Sequence, residues 1–153
     1  MKIDIYMIYK NYPLESNMLD YIHRARNFHT EIRIHNIMTK EVQDAQRSRN
    51  KKNIKRSYTN AFKSYLDENS VLLDVTSKSY DSIEFSQFVE SYFEKGALKF
   101  FIAGAYGFEH EIRQKYKKVS LSRLTFSHEI ARMVLLEQVY RALSIVYKHP
   151  YHK

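Results

Sequence analysis

Two of the three glycines in this 153-residue chain, Gly104 and Gly107, lie in one short segment, FFIAGAYGF. An apolar run typical of a buried strand leads into the segment, and a helical pattern follows it. Glycine permits positive φ and lets the backbone approach a ligand closely. Because ligands of α/β proteins bind beyond the carboxyl ends of strands, this turn is a candidate ligand site. The competing interpretation is an ordinary turn, since an isolated GxxG is a weak signal.

The familiar phosphate-binding loops do not fit this turn. A Walker loop requires GxxxxGK[ST], and no Lys-Ser or Lys-Thr pair follows Gly107. A dinucleotide fingerprint requires GxGxxG in the first βα unit, whereas this turn follows the fourth predicted strand. The chain also has no Cys, which excludes disulfides, thiolate metal sites and cysteine nucleophiles. The turn alone therefore predicts a ligand site without identifying the ligand.

The net charge of +8 is unevenly distributed along the chain. Residues 47–56 hold six basic side chains and no acid, and residues 113–153 hold nine Lys and Arg against Glu129 and Glu137. Together the two regions carry +13, so the rest of the chain is net acidic by 5. Two basic regions with tyrosine and phenylalanine nearby fit a nucleic-acid partner. Merely solvated lysines on a basic protein fit the same pattern equally well.

Strand patterns alternate with helix patterns along the chain. This order predicts a single α/β domain over residues 1–153, with a largely parallel sheet. No run of about 18 apolar residues occurs, and charges interrupt the N-terminal segment, so we expect a cytoplasmic protein without a membrane helix or signal peptide. The predicted strands are 2–9, 31–38, 70–77, 97–104 and a strand end within 119–127; the predicted helices are 14–28, a polar segment from Thr39 to Leu66, 82–96, 108–118 and 127–148.

The last predicted helix has too many apolar residues for a single stripe. Ser127 is its expected N-cap, and Glu137 and Arg141, four residues apart, are expected to pair. One side of the helix covers the sheet, so the other side must bury against something else. A second subunit is the expected partner, and a central core helix in a monomer is the alternative.

Five segments occur together in the C-terminal half: LLDVTSK (72–78), the glycine turn, LSRLTF (121–126), EQVYRA (137–142) and HPYH (149–152). In this order and spacing they resemble the family of ribosomal large-subunit pseudouridine N3-methyltransferases, of the SPOUT class. The resemblance is strong over residues 70–153, and it rests on length and strand pattern alone in the N-terminal half. One departure is Ala103, which stands where the family has the first glycine of a pair.

The resemblance implies a fold, a cofactor and a substrate. It implies a SPOUT-type sheet with a C-terminal trefoil knot, and S-adenosylmethionine bound between three loops. It also implies a homodimer that methylates N3 of a pseudouridine in large-subunit (23S) rRNA, on assembled ribosomes. The positions that match the cofactor loops are Leu73, Ala103, Gly104, Gly107, Leu121, Ser122, Arg123, Leu124, Thr125 and Phe126.

The resemblance also implies catalytic roles for Arg141, Tyr151 and His152. Arg141 would hold a phosphate or the developing uracil anion, and Tyr151 would stack or form a hydrogen bond. His152 is a candidate proton acceptor, with solvent as the alternative. No metal is required, although His149 and His152 could also be interpreted as a metal-ligand pair. From the residues alone, a frayed terminus is the simpler interpretation of this tail.

For RNA binding we predict Lys115, Lys117, Lys118 and Arg123, which lie close in sequence to the active loops. The basic run 47–56 is interpreted as a contact to rRNA phosphates, with a solvated helix as its alternative. A non-catalytic RNA- or ribosome-binding dimer of the same fold is the competing hypothesis for the whole chain.

Overall fold

The computed structural model describes residues 1–10 and 13–153. Five parallel strands form one sheet in the order β2-β1-β4-β3-β5. The prediction of an α/β fold with a largely parallel sheet is therefore confirmed. The strands are β1 (Lys2–Ile8), β2 (Glu31–Ile37), β3 (Ser70–Leu73), β4 (Ala97–Ile102) and β5 (Lys117–Val119). The helices are α1 (Ser16–Ala25), followed by a 3₁₀ turn at Arg26–Phe28, α2 (Lys40–Ser48), α3 (Lys51–Phe62), α4 (Ser82–Glu90), α5 (His110–Lys115) and α6 (His128–Val146).

The two faces of the sheet have separate cores, because successive side chains of a strand point in opposite directions. On β1, Ile3 and Ile5 are fully buried in a cluster that includes residues of α1, α4 and α6. Tyr6 and Ile8 belong to the other cluster, with Val42 of α2 and several residues of α3. The sheet is thus covered on both faces, as parallel sheets require.

Polar side chains fix the starts of four helices. The hydroxyl of Thr39 accepts a hydrogen bond from the backbone of Val42, and Asp81 forms a capping box with Glu84. Ser127 caps α6, as predicted, by accepting from the backbone of Ile130; Asn50 does the same for α3. A cap of this kind stabilises its helix by about 1 kcal/mol.

The structure corrects three predicted boundaries. The polar segment after Thr39 forms two helices, because the chain turns at Arg49 with a left-handed φ of 54°. Strand β3 ends at Leu73, because the Asp74 carboxylate accepts from the backbone and hydroxyl of Thr76 and so turns the chain. The helix predicted over 108–118 ends at Lys115. Lys117 and Lys118 belong instead to β5, which pairs with β3.

Helix α6 runs from the carboxyl ends of the strands to their amino ends. Near its start the ring of His128 packs against Tyr9, which follows β1, with ring centroids 5.3 Å apart. After its end Tyr147 packs on Phe28, which precedes β2, at 5.3 Å. The helix therefore links the two ends of the sheet. Threading of the chain into a trefoil knot stays a prediction.

Candidate functional site

A cleft of about 770 Å³ lies beyond the carboxyl ends of β3, β4 and β5. The three loops that follow these strands supply most of its wall, and α6 contributes Ala131. Arg123, a predicted cofactor-binding residue, does not line the cleft and is exposed. The other nine predicted cofactor-binding residues line it: Leu73, Ala103, Gly104, Gly107, Leu121, Ser122, Leu124, Thr125 and Phe126.

The three small residues of the β4 turn have different structural roles. Gly107 has a φ of 70°, which glycine adopts without strain. Gly104 is required by packing instead, because a Cβ at this position would lie 2.3 Å from the hydroxyl of the buried Tyr58. Ala103 is not among the described residues with positive φ. An alanine in place of the family glycine therefore introduces no backbone strain here.

An ion pair forms one wall of the cleft. The Nε of Arg113 donates to the carboxylate of Asp74, and its Nη2 donates to the hydroxyl of Thr76 at 2.6 Å. Burial raises the pKa of Asp74, but hydrogen bonds from Thr76 and Arg113 outweigh burial and leave that pKa below its usual value. Asp74 is therefore a carboxylate held in place rather than a proton acceptor. The sequence analysis missed this pair, although an Asp directly after a buried strand was the available signal.

The mouth of the cleft carries exposed apolar side chains. Val75, Tyr106 and Leu124 are 43%, 39% and 71% exposed, and all three line the cleft. Large apolar side chains grouped around a concave surface are typical of a binding site.

The three predicted catalytic residues lie together, around Glu137 of α6. Arg141 donates to Oε1 of Glu137 from Nε at 3.0 Å, which confirms the predicted helix pair. The Tyr151 hydroxyl donates to the same oxygen at 3.0 Å, and Tyr21 of α1 lies 3.2 Å from that hydroxyl. Arg141 Nη1 lies 3.4 Å from Nδ1 of His152. Because arginine has no acceptor, His152 must accept in this contact.

The protonation states of this cluster are fixed by burial and by Glu137. Burial raises the pKa of Tyr151, and the hydrogen bonds to Tyr21 and Glu137 raise it further, so this pKa lies far above its usual value. The hydrogen bond to Glu137 raises the pKa of Arg141. Tyr151 is therefore a neutral donor and Arg141 a permanent cation at physiological pH.

Within one chain this cluster does not reach the cleft. Arg141 is ten residues beyond Ala131 on α6, which corresponds to about 15 Å along a helix axis. The tail folds back onto its own helix, with the ring of Tyr151 4.8 Å from that of Tyr140. In this conformation the tail therefore does not line the cleft of its own chain.

The predicted RNA-binding lysines lie near the β5 edge of the sheet and have contacts within the chain. The Nζ of Lys117 is 5.3 Å from the ring centroid of Tyr92, and that of Lys115 is 5.5 Å from the ring centroid of Tyr116. The Nζ of Lys118 donates to the carbonyl of Arg113. None of the three lines the cleft.

Neither a membrane helix nor a metal cluster is found in the described part of the chain. Across residues 1–10 and 13–153, every helix is too short or too polar to cross a membrane. The same residues contain no group of three or more His, Asp or Glu side chains that could hold a metal ion.

Comparison with known proteins identifies the class to which this parallel sheet and cleft belong. A family model described as predicted SPOUT methyltransferase matches residues 1–152. A solved structure described as a probable methylase family protein from Haemophilus influenzae aligns with a TM-score of 0.52 at 13% identity. That alignment covers 99% of this chain and 70% of the other, and it supports the fold alone.

Full-length relatives narrow the class to one branch. A Helicobacter pylori protein named ribosomal RNA large subunit methyltransferase H is 41% identical over 155 aligned positions, covering 100% of both chains. Proteins of the same name from Helicobacter acinonychis and Helicobacter hepaticus are 39% and 40% identical, again covering 100% of both chains. The chain therefore belongs to the SPOUT methyltransferase family, on the branch of these large-subunit rRNA methyltransferases, and is a methyltransferase.

Proposed function

We propose that this chain methylates large-subunit (23S) rRNA, transferring the methyl group of S-adenosylmethionine to N3 of a pseudouridine on assembled ribosomes. The observation that carries the proposal is the cleft, which gathers nine of the ten predicted cofactor-binding residues from loops distant in sequence. The names of the full-length relatives support rRNA as the substrate class. Ribosomes are cytoplasmic, so the enzyme would act there.

The cleft has the chemical character that the cofactor needs. Leu73, Leu121 and Phe126 offer apolar contacts to an adenine ring, and the β4 turn brings its backbone to the cleft without a side chain at Gly104. The bound cofactor would supply an activated methyl group, so the protein mainly has to position donor and acceptor. Asp74 and Arg113 would hold the β3 loop in the shape that receives it.

Separation of the tail from the cleft supports a homodimer as the active form. In its own chain Arg141 lies about 15 Å along α6 from Ala131 of the cleft, and Tyr151 is held beside it through Glu137. A partly exposed face of α6 includes Ile130, Val134 and Ile145 beside the Glu137–Arg141 pair. Packing this face against a second copy would bury the apolar side chains and bring one subunit's tail toward the other's cleft.

Arg141, Tyr151 and His152 would then act on the target base. The permanent charge of Arg141 would stabilise negative charge that develops on the uracil ring as its N3 proton leaves. Tyr151, held as a neutral donor by Glu137, would orient the base through its ring or hydroxyl. His152 would accept the proton, with solvent as the alternative acceptor.

Calorimetry with S-adenosylmethionine tests the cofactor, with binding expected in the micromolar range. A chain that binds ribosomes but not S-adenosylmethionine would fit the competing hypothesis, a non-catalytic RNA-binding dimer, and would contradict this proposal. Transfer of a labelled methyl group to ribosomes that lack the modification, compared with free rRNA, tests the substrate.

A further inference from the structure

Two more concavities continue the methyl-donor cleft toward the β2 edge of the sheet. The first, of about 480 Å³, shares Gly104, Ala105, Tyr106 and His128 with the cleft. The second, of about 830 Å³, shares Tyr9, Lys10, Met38 and Gln46 with the first. The shared walls join the cleft and the two concavities into one path along the carboxyl ends of the strands.

The far end of this path is cationic. Lys10, Arg47 and Arg49 line the second concavity, and none of the described residues that line it is acidic. Arg47 lies 3.6 Å from Asp44, but both side chains are more than half exposed, so this pair is weak. Neither Lys10 nor Arg49 forms an ion pair with another residue of the described chain. We call this cationic end the basic groove.

The backbone at Arg49 is in a conformation that its side chain disfavours. Its φ of 54° lies in the left-handed region, where a non-glycine residue costs about 1 kcal/mol or more. A glycine would end α2 without that strain. Strain of this kind is typical of functional positions, and here it places a guanidinium at the rim of the basic groove.

A buried arginine lies behind the same groove. Arg132 of α6 is only 5% exposed, and its Nη1 donates to the side chain of Asn36, a groove residue, at 3.3 Å. Its guanidinium is 5.4 Å from the ring centroid of Tyr9, and its Nε has no hydrogen-bond partner in the described chain.

No carboxylate of the described residues forms an ion pair with Arg132. Burial lowers its pKa, and the charges of Glu129 and Glu15 offset only part of this effect. An arginine titrates well above neutral pH, so the side chain is a buried cation without a carboxylate in direct contact. An anion in the basic groove would supply a counter-charge.

We propose that the basic groove binds the phosphate backbone of the RNA strand whose target base enters the methyl-donor cleft. Lys10, Arg47 and Arg49 would contact successive phosphates, and Arg132 would stabilise the one nearest Asn36. Tyr106, along the path between groove and cleft, offers a partly exposed ring surface on which a base can stack. This inference rests on the proposed function in that it takes RNA as the substrate.

The groove includes Arg47 and Arg49 of the basic run 47–56, but it differs from the lysine surface predicted near the cofactor loops. Lys115, Lys117 and Lys118 lie by the opposite edge strand, and their ammonium groups already contact Tyr116, Tyr92 and a backbone carbonyl. The two surfaces can therefore be separated by mutation.

The decisive variant is Arg47→Glu with Arg49→Glu. Its matched control is Arg26→Glu with Lys63→Glu, which makes the same charge change at exposed positions near the amino ends of the strands. The dissociation constant for unmethylated large-subunit rRNA, and for ribosomes lacking the modification, would be measured across a salt series. The groove variant is expected to bind at least tenfold more weakly, with a salt slope reduced by about one for each lost phosphate contact. The control should bind like the wild type.

Equal RNA affinity and equal salt slope for the groove and control variants would overturn the inference. A groove variant that sediments as a monomer, beside a dimeric wild type, would also overturn it, because the groove would then be a subunit contact. Calorimetry with S-adenosylmethionine should be unchanged in both variants. A wild type that binds no S-adenosylmethionine would refute the proposed function while leaving the RNA comparison interpretable.

The role of Arg132 is tested by Arg132→Lys and Arg132→Gln. The lysine variant keeps the charge and should retain RNA affinity, whereas the glutamine variant should lose several-fold. Thermal unfolding checks that each variant folds. A folded glutamine variant with wild-type RNA affinity would remove Arg132 from the site, and the groove variant remains decisive if Arg132→Gln does not fold.

Discussion

Substitution of Gly104 by alanine tests the packing of the β4 turn. The new Cβ would lie 2.3 Å from the hydroxyl oxygen of Tyr58 and 2.5 Å from its Cζ, where ordinary contacts are 3.4–4 Å. Tyr58 or the turn must therefore move by about 1 Å, and Tyr58 is 1% exposed in a close-packed core. Overpacking of this size costs about 1–3 kcal/mol. If half of this cost, about 0.5–1.5 kcal/mol, appears as distortion of the turn, the affinity for S-adenosylmethionine falls about 2- to 12-fold, since 1.4 kcal/mol is a factor of ten.

For Gly104→Ala, calorimetry measures the loss of affinity for S-adenosylmethionine, and thermal unfolding measures the loss of stability. Gly96→Ala is the control, because Gly96 lies before β4, outside the cleft, and a Cβ there meets no other atom. Its φ of 70° gives this variant a stability cost of its own without a clash. It should lose about 1 kcal/mol of stability and keep the affinity for S-adenosylmethionine. Combining Gly104→Ala with Tyr58→Leu removes the clashing atoms and should restore part of the affinity. Wild-type affinity and stability in Gly104→Ala would refute the reasoning.

Three further predictions concern the rest of the chain. Burial raises the pKa of Asp4, but the interactions with Arg33 and His35 lower it more, so the pKa lies below its usual value. The ionised carboxylate therefore contributes its full stabilisation above about pH 4, and this contribution is lost as the pH falls through the lowered pKa. Asp4→Asn should therefore cost about 2 kcal/mol in urea unfolding at pH 7 and less at pH 3; a cost that does not depend on pH would contradict this. Removal of residues 151–153 should abolish methyl transfer while leaving the fold intact, with a lower melting temperature because Tyr151 packs on Tyr140 and donates to Glu137. Retained transfer would exclude the tail from catalysis. Ile130→Glu should convert the expected dimer to a monomer in sedimentation, because it places a charge on the partly exposed face of α6, and a wild-type monomer would contradict the dimer itself.

The sequence predicted those parts of the fold that local patterns determine. The strand β1, the Ser127 cap and the Glu137–Arg141 pair each depend on neighbours within a few residues, and all three are present. The loops of the cleft were found through resemblance, because residues 73, 103 and 121 meet only when the sheet forms.

The features that were missed depend on contacts between distant segments. Gly104 was interpreted as room for a ligand, whereas its Cβ position is excluded by Tyr58, 46 positions earlier in the chain. Lys117 and Lys118 followed a helical pattern, but pairing of β5 with β3 determined their conformation. The basic run 47–56 could not be distinguished from a solvated helix, because the groove beside it forms only when the segment after β1, the end of β2 and α2 come together.

Methyl transfer to a pseudouridine of 23S rRNA can be measured directly. Ribosomes that lack the modification are incubated with the protein and S-adenosylmethionine carrying a labelled methyl group, and the labelled nucleotide is identified by mass spectrometry of the digested 23S rRNA. We expect label in a single N3-methylated pseudouridine, and loss of that label in the Arg141→Ala variant. Absence of label, or label on another nucleotide, from a protein that binds S-adenosylmethionine would contradict the proposed function.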